Sequence, residues 1–371
     1  MYDLIVIGDD LSSHVSAAYA SQNGLHTLLI AESGLGGLQL IGDFVFNIDC
    51  TPLSGLGLDQ PGLSILTELG IAIPETHSTS INPAFQVILP DHRIDFYNDL
   101  GALKSELARE FSHLETDISA FYNAATDASS IFQEWITEHP QIQPQSLKEY
   151  FSYLKIFPYI FRYKFGAANF DKILSQDESL EKVWEAQQAL LSLNNDDLFS
   201  FASAFQYSAP LRGVSYFPQG KQFLFNALVE KLESNKGLSL SNHQISDLTR
   251  NKTIDLEIKA PDNATSEVSG LHLIVSTKSD KLSLLRGSHK HINFSDWLRP
   301  AKIAYYPFTI FLGIAEKCLP EQMSRHIAVV TDVTKDIYDN NLIILETSLP
   351  DKDKSLAHAM TSLTATVYLP D

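Results

Sequence analysis

The chain is short of cysteine, of cations and, toward its carboxyl end, of glycine, and each shortage removes a class of function. Two cysteines in 371 residues, Cys50 and Cys318, stand far apart with no CxxC pair, so neither a disulfide framework nor a cysteine zinc site is written in the chain. Both read as small buried hydrophobes. Lys and Arg total 27 against 45 Asp and Glu, a formal charge of −18 and the wrong sign for neutralising nucleic-acid phosphates. The charge-free stretches Leu198–Leu211, Ile303–Ala315 and Ser355–Pro370 run to 14, 13 and 16 residues, and polar residues or proline break each of them. All three fall below the roughly 20 residues of a spanning helix. The apolar run Leu4–Ile7 follows Asp3, where a signal peptide wants Lys or Arg, so a cytoplasmic location is expected. HExxH, GxSxG and GxxxxGK[ST] are all absent, which leaves no zinc-protease helix, serine elbow or P-loop and no catalytic residue to name. His289 and His291 flank Lys290 with no carboxylate or cysteine beside them, and read as a polar loop rather than a metal site.

What is present begins at the amino terminus. Asp3–Glu32 reads as strand (Leu4–Ile7), tight turn at Gly8, helix (Leu11–Gln22), helix stop at Gly24 and second strand (Thr27–Ala31). Ser16, Ala17, Ala18 and Ala20 suit a helix packed closely on a sheet. Glu32 stands 24 positions after Gly8, near the spacing at which a carboxylate takes a ribose hydroxyl in dinucleotide folds. Where GxGxxG is expected, the chain reads Gly8-Asp9-Asp10-Leu11-Ser12-Ser13. Only the first glycine remains, and Asp10 brings a side chain and a negative charge to the place where backbone normally approaches pyrophosphate.

Further blocks follow in order. Gly34-Leu35-Gly36-Gly37-Leu38 is a second glycine cluster, and Phe44–Asp49 a strand. Phe85–Tyr97 reads as a hairpin followed by a helix over Leu100–Phe111. Tyr216-Phe217-Pro218-Gln219-Gly220-Lys221 forms a turn before a helix from Phe223 to Leu232, and His243–Thr277 reads as a meander. In this order and spacing the chain resembles the FAD-dependent amine oxidase and phytoene desaturase superfamily, which shares its fold with the Rab GDP-dissociation inhibitors. The resemblance implies an α/β fold: a Rossmann-like FAD/NAD(P)-binding domain (1–75 and 215–284), a mixed-sheet substrate domain (76–110 and 285–371) and a helical cap (111–214). It implies FAD as cofactor, held by Gly8, Leu11, Ser12, Glu32, Gly36 and Gly37, and a small lipophilic or amine substrate giving up hydride to the flavin. Leu38 stands where the family has arginine and Lys221 where it has glycine. The family's closing glycine-rich turn has no counterpart, since Gly313 is the last glycine and the final 58 residues hold none. Either the chain is a shortened relative or that portion lies beyond Asp371. These departures keep open a second class of function, a non-catalytic relative that lost the cofactor and binds a protein or an isoprenoid ligand.

Within the cap, Leu180, Val183, Trp184, Leu190 and Leu191 recur at helical spacing, interrupted by Gln187. The stretch Tyr150–Phe165 carries eight aromatics together with Lys155, Arg162 and Lys164. Pro158 and the alternation over Phe157–Phe165 point to an extended or irregular segment that buries its aromatics. The composition equally suits a peripheral membrane or protein contact, or the mouth of a lipophilic tunnel.

Overall fold

The computed structural model describes residues 1–32, 38–47, 51–57, 60–74, 77–138, 151, 154–163, 177–192, 201–217, 220–276, 285–287, 305–348 and 360–370. In chain order the first strands are β1 (Tyr2–Ile7), β2 (Thr27–Ala31), β3 (Leu38–Ile41), β4 (Phe44–Asn47), β5 (Leu53–Ser54), β6 (Thr79–Ile81), β7 (Phe85–Ile88), β8 (Arg93–Phe96) and β9 (Val214–Tyr216). They are followed by β10 (Leu238–Ser241), β11 (Gln244–Arg250), β12 (Ile254–Lys259), β13 (Thr265–Val275), β14 (Leu285–Gly287), β15 (Tyr305–Ala315), β16 (His326–Val330), β17 (Leu342–Thr347) and β18 (Met360–Pro370). The helices are α1 (Leu11–Gln22), α2 (Pro61–Glu68), α3 (Leu100–Glu110), α4 (Glu115–Glu138), α5 (Glu178–Ser192), α6 (Phe201–Tyr207) and α7 (Gln222–Ser234).

The chain divides into two compact units. The first comprises Met1–Leu38, Ile65–His77 and Gln219–Ala304, and is built on a seven-stranded sheet of order β10-β2-β1-β13-β12-β11-β14. Its four neighbours β10, β2, β1 and β13 run parallel. Parallel strands are covered on both faces, which is why Leu4–Ile7 and Thr27–Ala31 are buried throughout and carry no polar alternation. Ala17 of α1 packs with Leu4, Val6 and Leu29 of the sheet and Leu232 of α7; its missing side-chain bulk lets the helix approach. The meander over β11, β12 and β13 is antiparallel, and Asn263 takes a left-handed conformation (φ 67°) in the β12–β13 turn.

The second unit comprises Gln39–Ser64, Ser78–Pro218 and Tyr305–Asp371. Its six-stranded sheet has the order β15-β18-β17-β16-β7-β8, with β7 parallel to β16 and every other pair antiparallel. Helices α3 to α6 share one apolar core with this sheet. At its centre Trp184 stacks on Phe121 at 4.0 Å between ring centroids, with Tyr207 edge-on to Phe121 at 5.0 Å. Gln187, the polar break in the α5 stripe, is fully buried and satisfied. Its Oε1 accepts from the Tyr122 hydroxyl at 3.2 Å, and its Nε2 donates to the Tyr207 carbonyl at 3.2 Å.

Two local expectations are corrected. Cys318 is exposed rather than buried, while Cys50 lies outside the described residues. Residues 157–163 form a short helix rather than an extended segment. Pro158 falls in its first turn, where a missing backbone N–H costs no internal hydrogen bond.

Candidate functional site

In the first unit β1 ends at Ile7 and the chain turns at Gly8 into α1. Gly8 N donates to the Ile30 carbonyl at 3.1 Å, and Ser276 N donates to the Ile7 carbonyl at 2.8 Å, so both neighbouring strands grip the turn. A Cβ at Gly8 would lie 2.3 Å from Ser13 Oγ and 2.6 Å from Ser276 Cβ, which leaves glycine as the residue that fits.

Asp10 is the N-cap of α1. Its carboxylate accepts from Ser13 N at 2.9 Å and Ser13 Oγ at 3.2 Å, and from the hydroxyls of Ser12 and Ser276. Partial burial pushes its pKa up, but the hydrogen bonds from Ser12, Ser276 and Ser13 outweigh it and hold the group at about 2. The carboxylate therefore sits ionised on the positive end of the helix, the position that takes the pyrophosphate in a dinucleotide-binding turn. Here the anion is the protein's own, and the residues do not fit an FAD pyrophosphate.

His14, one turn along, is 1% exposed. Its Nδ1 lies 2.8 Å from the Asp10 carbonyl, which can only accept, so Nδ1 carries a proton. Nε2 faces no hydrogen-bond partner, and the ring stands edge-on to Phe225 at 4.8 Å. The histidine is thus a packed helix residue. Burial holds its pKa below the ordinary 6.5, against smaller upward contributions from Asp10 and Asp9. A depressed histidine pKa means that the unfolded chain takes the proton first. The stability of the wild type is therefore expected to fall as pH drops below about 6.5, relative to a His14→Leu variant that lacks this slope. Urea denaturation at neutral and mildly acid pH reads the difference; equal slopes would remove the assignment.

Leu11 and Ser12 open the same helix, and Ser12 spends its hydroxyl on Asp10. Glu32, just beyond β2, accepts from Ile245 N of β11 at 3.1 Å, so the acid expected to meet a ribose is engaged by the sheet. Gly36 and Gly37 lie outside the described residues.

A second polar site, in the second unit, was not anticipated from the sequence. Glu346 of β17 pairs across the ladder with His326 of β16 and, on its other side, with Thr364 of β18. All three are at least nine-tenths buried. Asn47 of β4 donates from Nδ2 to Glu346 Oε1, and the Tyr216 ring stands 6.1 Å from that of His326. Val45, Asn47, Tyr216, Glu346, Ser348, Ser362 and Thr364 line a pocket of about 10 Å³, room for about one water. The signal that could have found it is an inverted alternation along β18. Ser362, Thr364 and Thr366 are buried, whereas Leu363, Ala365 and Val367 are partly exposed and Leu369 is exposed. The hydroxyl side of the strand faces inward. Among the described residues no group of three or more His, Cys, Asp and Glu is gathered to hold a metal.

No family model and no curated protein matches the sequence. Solved structures do. A Pyrococcus furiosus protein aligns over 99% of this chain and 80% of its own, with a TM-score of 0.59 and 15% identity. An oxidoreductase from Methanosarcina mazei aligns over 98% and 78%, at TM-score 0.56 and 16% identity. A putrescine oxidase redesigned in its cofactor binding aligns over 99% and 75%, at TM-score 0.54 and 12% identity. At such identities the likeness is one of fold. The chain shares their mixed α/β architecture, with a Rossmann-like unit and a mixed-sheet unit.

Proposed function

We propose that the protein is a relative of the flavin-dependent oxidoreductases that works as a binding protein without the dinucleotide. The observation that carries this reading is the Asp10 carboxylate on the amino terminus of α1, held there by Ser12, Ser13 and Ser276. A fixed carboxylate in that place both fills the anion seat and repels a phosphate. In the second unit the buried Glu346 carboxylate, beside Asn47 and the hydroxyls of Ser362 and Thr364, would receive a single small hydrogen-bond donor, such as the amino group of a ligand whose lipophilic part stays outside the pocket.

A second reading keeps the same ligand as a substrate of hydride transfer to FAD, with Gly8, Leu11, Ser12 and Glu32 around the cofactor. The tight Gly8 turn between β1, β2 and β13 favours it. Equilibrium dialysis of the purified chain against excess FAD separates the two. The expected outcome is no retained flavin at micromolar protein; stoichiometric retention, with the absorbance of an oxidised flavin, would replace the first reading by the second.

A further inference from the structure

Independently of what the two polar sites bind, the second unit carries an aromatic surface of its own. Around the short helix of residues 157–163, Ile156 and Tyr163 enter the apolar core, at 7% and 4% exposure. The other side stands in solvent. Phe151 is 64% exposed, Phe157 46%, Tyr159 47% and Phe161 56%, with Leu154 exposed beside them. Phe157 and Phe161 lie one helical turn apart with ring centroids 6.5 Å from each other. Single exposed apolar residues are ordinary on a protein surface, whereas here Phe157 and Phe161 adjoin and three more exposed apolar side chains lie within residues 151–161.

The charges around the patch give its occupant. Residues 150–165 contain Lys155, Arg162 and Lys164 and no Asp or Glu, in a chain whose formal charge is −18. Lys155 and Arg162 are exposed among the aromatics. Protein–protein interface cores are depleted of lysine, whereas a lipid surface takes aromatic rings at the acyl boundary and long cations at the headgroups. The net negative charge elsewhere does not forbid this, because charges beyond about 8 Å are screened at physiological ionic strength. Among the described residues no helix is long and apolar enough to cross a membrane, so the contact would be one of surface docking.

We propose that this helix docks the protein on an anionic lipid surface, with Phe151, Phe157 and Phe161 entering the acyl boundary and Lys155 and Arg162 meeting the headgroups. The test is co-sedimentation of the full chain with vesicles of phosphatidylcholine, alone and with about one quarter phosphatidylserine. Binding is expected with the anionic vesicles, weaker with neutral ones, and lower at high salt. Lys155→Gln and Arg162→Gln should each lower partitioning about fivefold, the effect of about 1 kcal/mol per cation. Phe157→Ser with Phe161→Ser should lower it at least tenfold. Because all four side chains are exposed or lie at the surface, the unfolding midpoints of these variants should match the wild type and so certify their fold. The proposal is overturned if the wild type stays in the supernatant with both vesicle types, or if the variants sediment as it does. It is also overturned if sedimentation velocity shows a dimer that Phe157→Ser with Phe161→Ser dissolves, since the patch would then belong to a second copy.

Discussion

Replacing Asp10 and Ser13 together by glycine is expected to raise the affinity for FAD by more than a hundredfold. One carboxylate facing one phosphate charge at about 5 Å, with an effective dielectric of about 20, costs about 3 kcal/mol, and that cost disappears with the side chain. The second change restores the small residue of the third glycine position and removes one of the hydroxyls that hold the Asp10 carboxylate. The variant should also be less stable by about 1–2 kcal/mol, because α1 loses its cap. Asp10→Asn separates the two effects: asparagine still caps the helix, so stability is largely kept, while the charge opposing the pyrophosphate is gone. The wild type should in addition lose stability in strong acid. The Asp10 contribution is complete above the ordinary aspartate value of 3.8 and is lost as pH falls toward about 2. Fluorescence titration with FAD and denaturation curves measure both quantities. If the double variant binds FAD no better than the wild type, the defect lies outside this turn and Asp10 is only a helix cap.

Trp184→Ala should be the most damaging single change in the second unit, lowering its stability by about 3–5 kcal/mol. Trp184 is 1% exposed and stacked on Phe121, and Tyr207 packs close by. Truncation would leave a cavity walled by rigid rings that cannot collapse into it. The loss belongs to the unit that holds α5 and not to the Rossmann-like unit. Chemical denaturation followed by hydrogen exchange should therefore show early loss of protection in α4, α5 and α6, while β1, β2 and β13 keep theirs. A change below about 1 kcal/mol would mean that the stacked rings repack freely.

Much of the architecture follows from short-range pattern. The uninterrupted apolar runs at Leu4–Ile7 and Thr27–Ala31, joined by a helix rich in alanine, permit little besides a buried parallel pair with a crossover, and α1 spans Leu11–Gln22 as that pattern predicts. The α5 stripe is legible for the same reason, because Leu180, Val183, Trp184 and Leu190 share one side of a helix. Alternation misleads where the inside of a sheet is polar. In β18 the period of two is evident, but a period cannot say which side is buried, and the hydroxyl row is the inner one. The aromatic stretch misleads differently: Pro158 argues against a helix except in a first turn, which is where it falls, and Ile156 and Tyr163 on either side of it are packed in the core.

The sequence by itself determined the βαβ opening, the loss of the second and third glycines and the presence of a carboxylate in their place, because these depend on neighbours along the chain. Only the tertiary structure decided what that carboxylate does. Ser276, 266 positions away, completes its hydrogen bonds, and nothing local could predict whether Asp10 would turn to solvent or onto the helix end. The polar site of the second unit was decided the same way, since Asn47 meets Glu346 across 299 positions through strands that no local rule pairs.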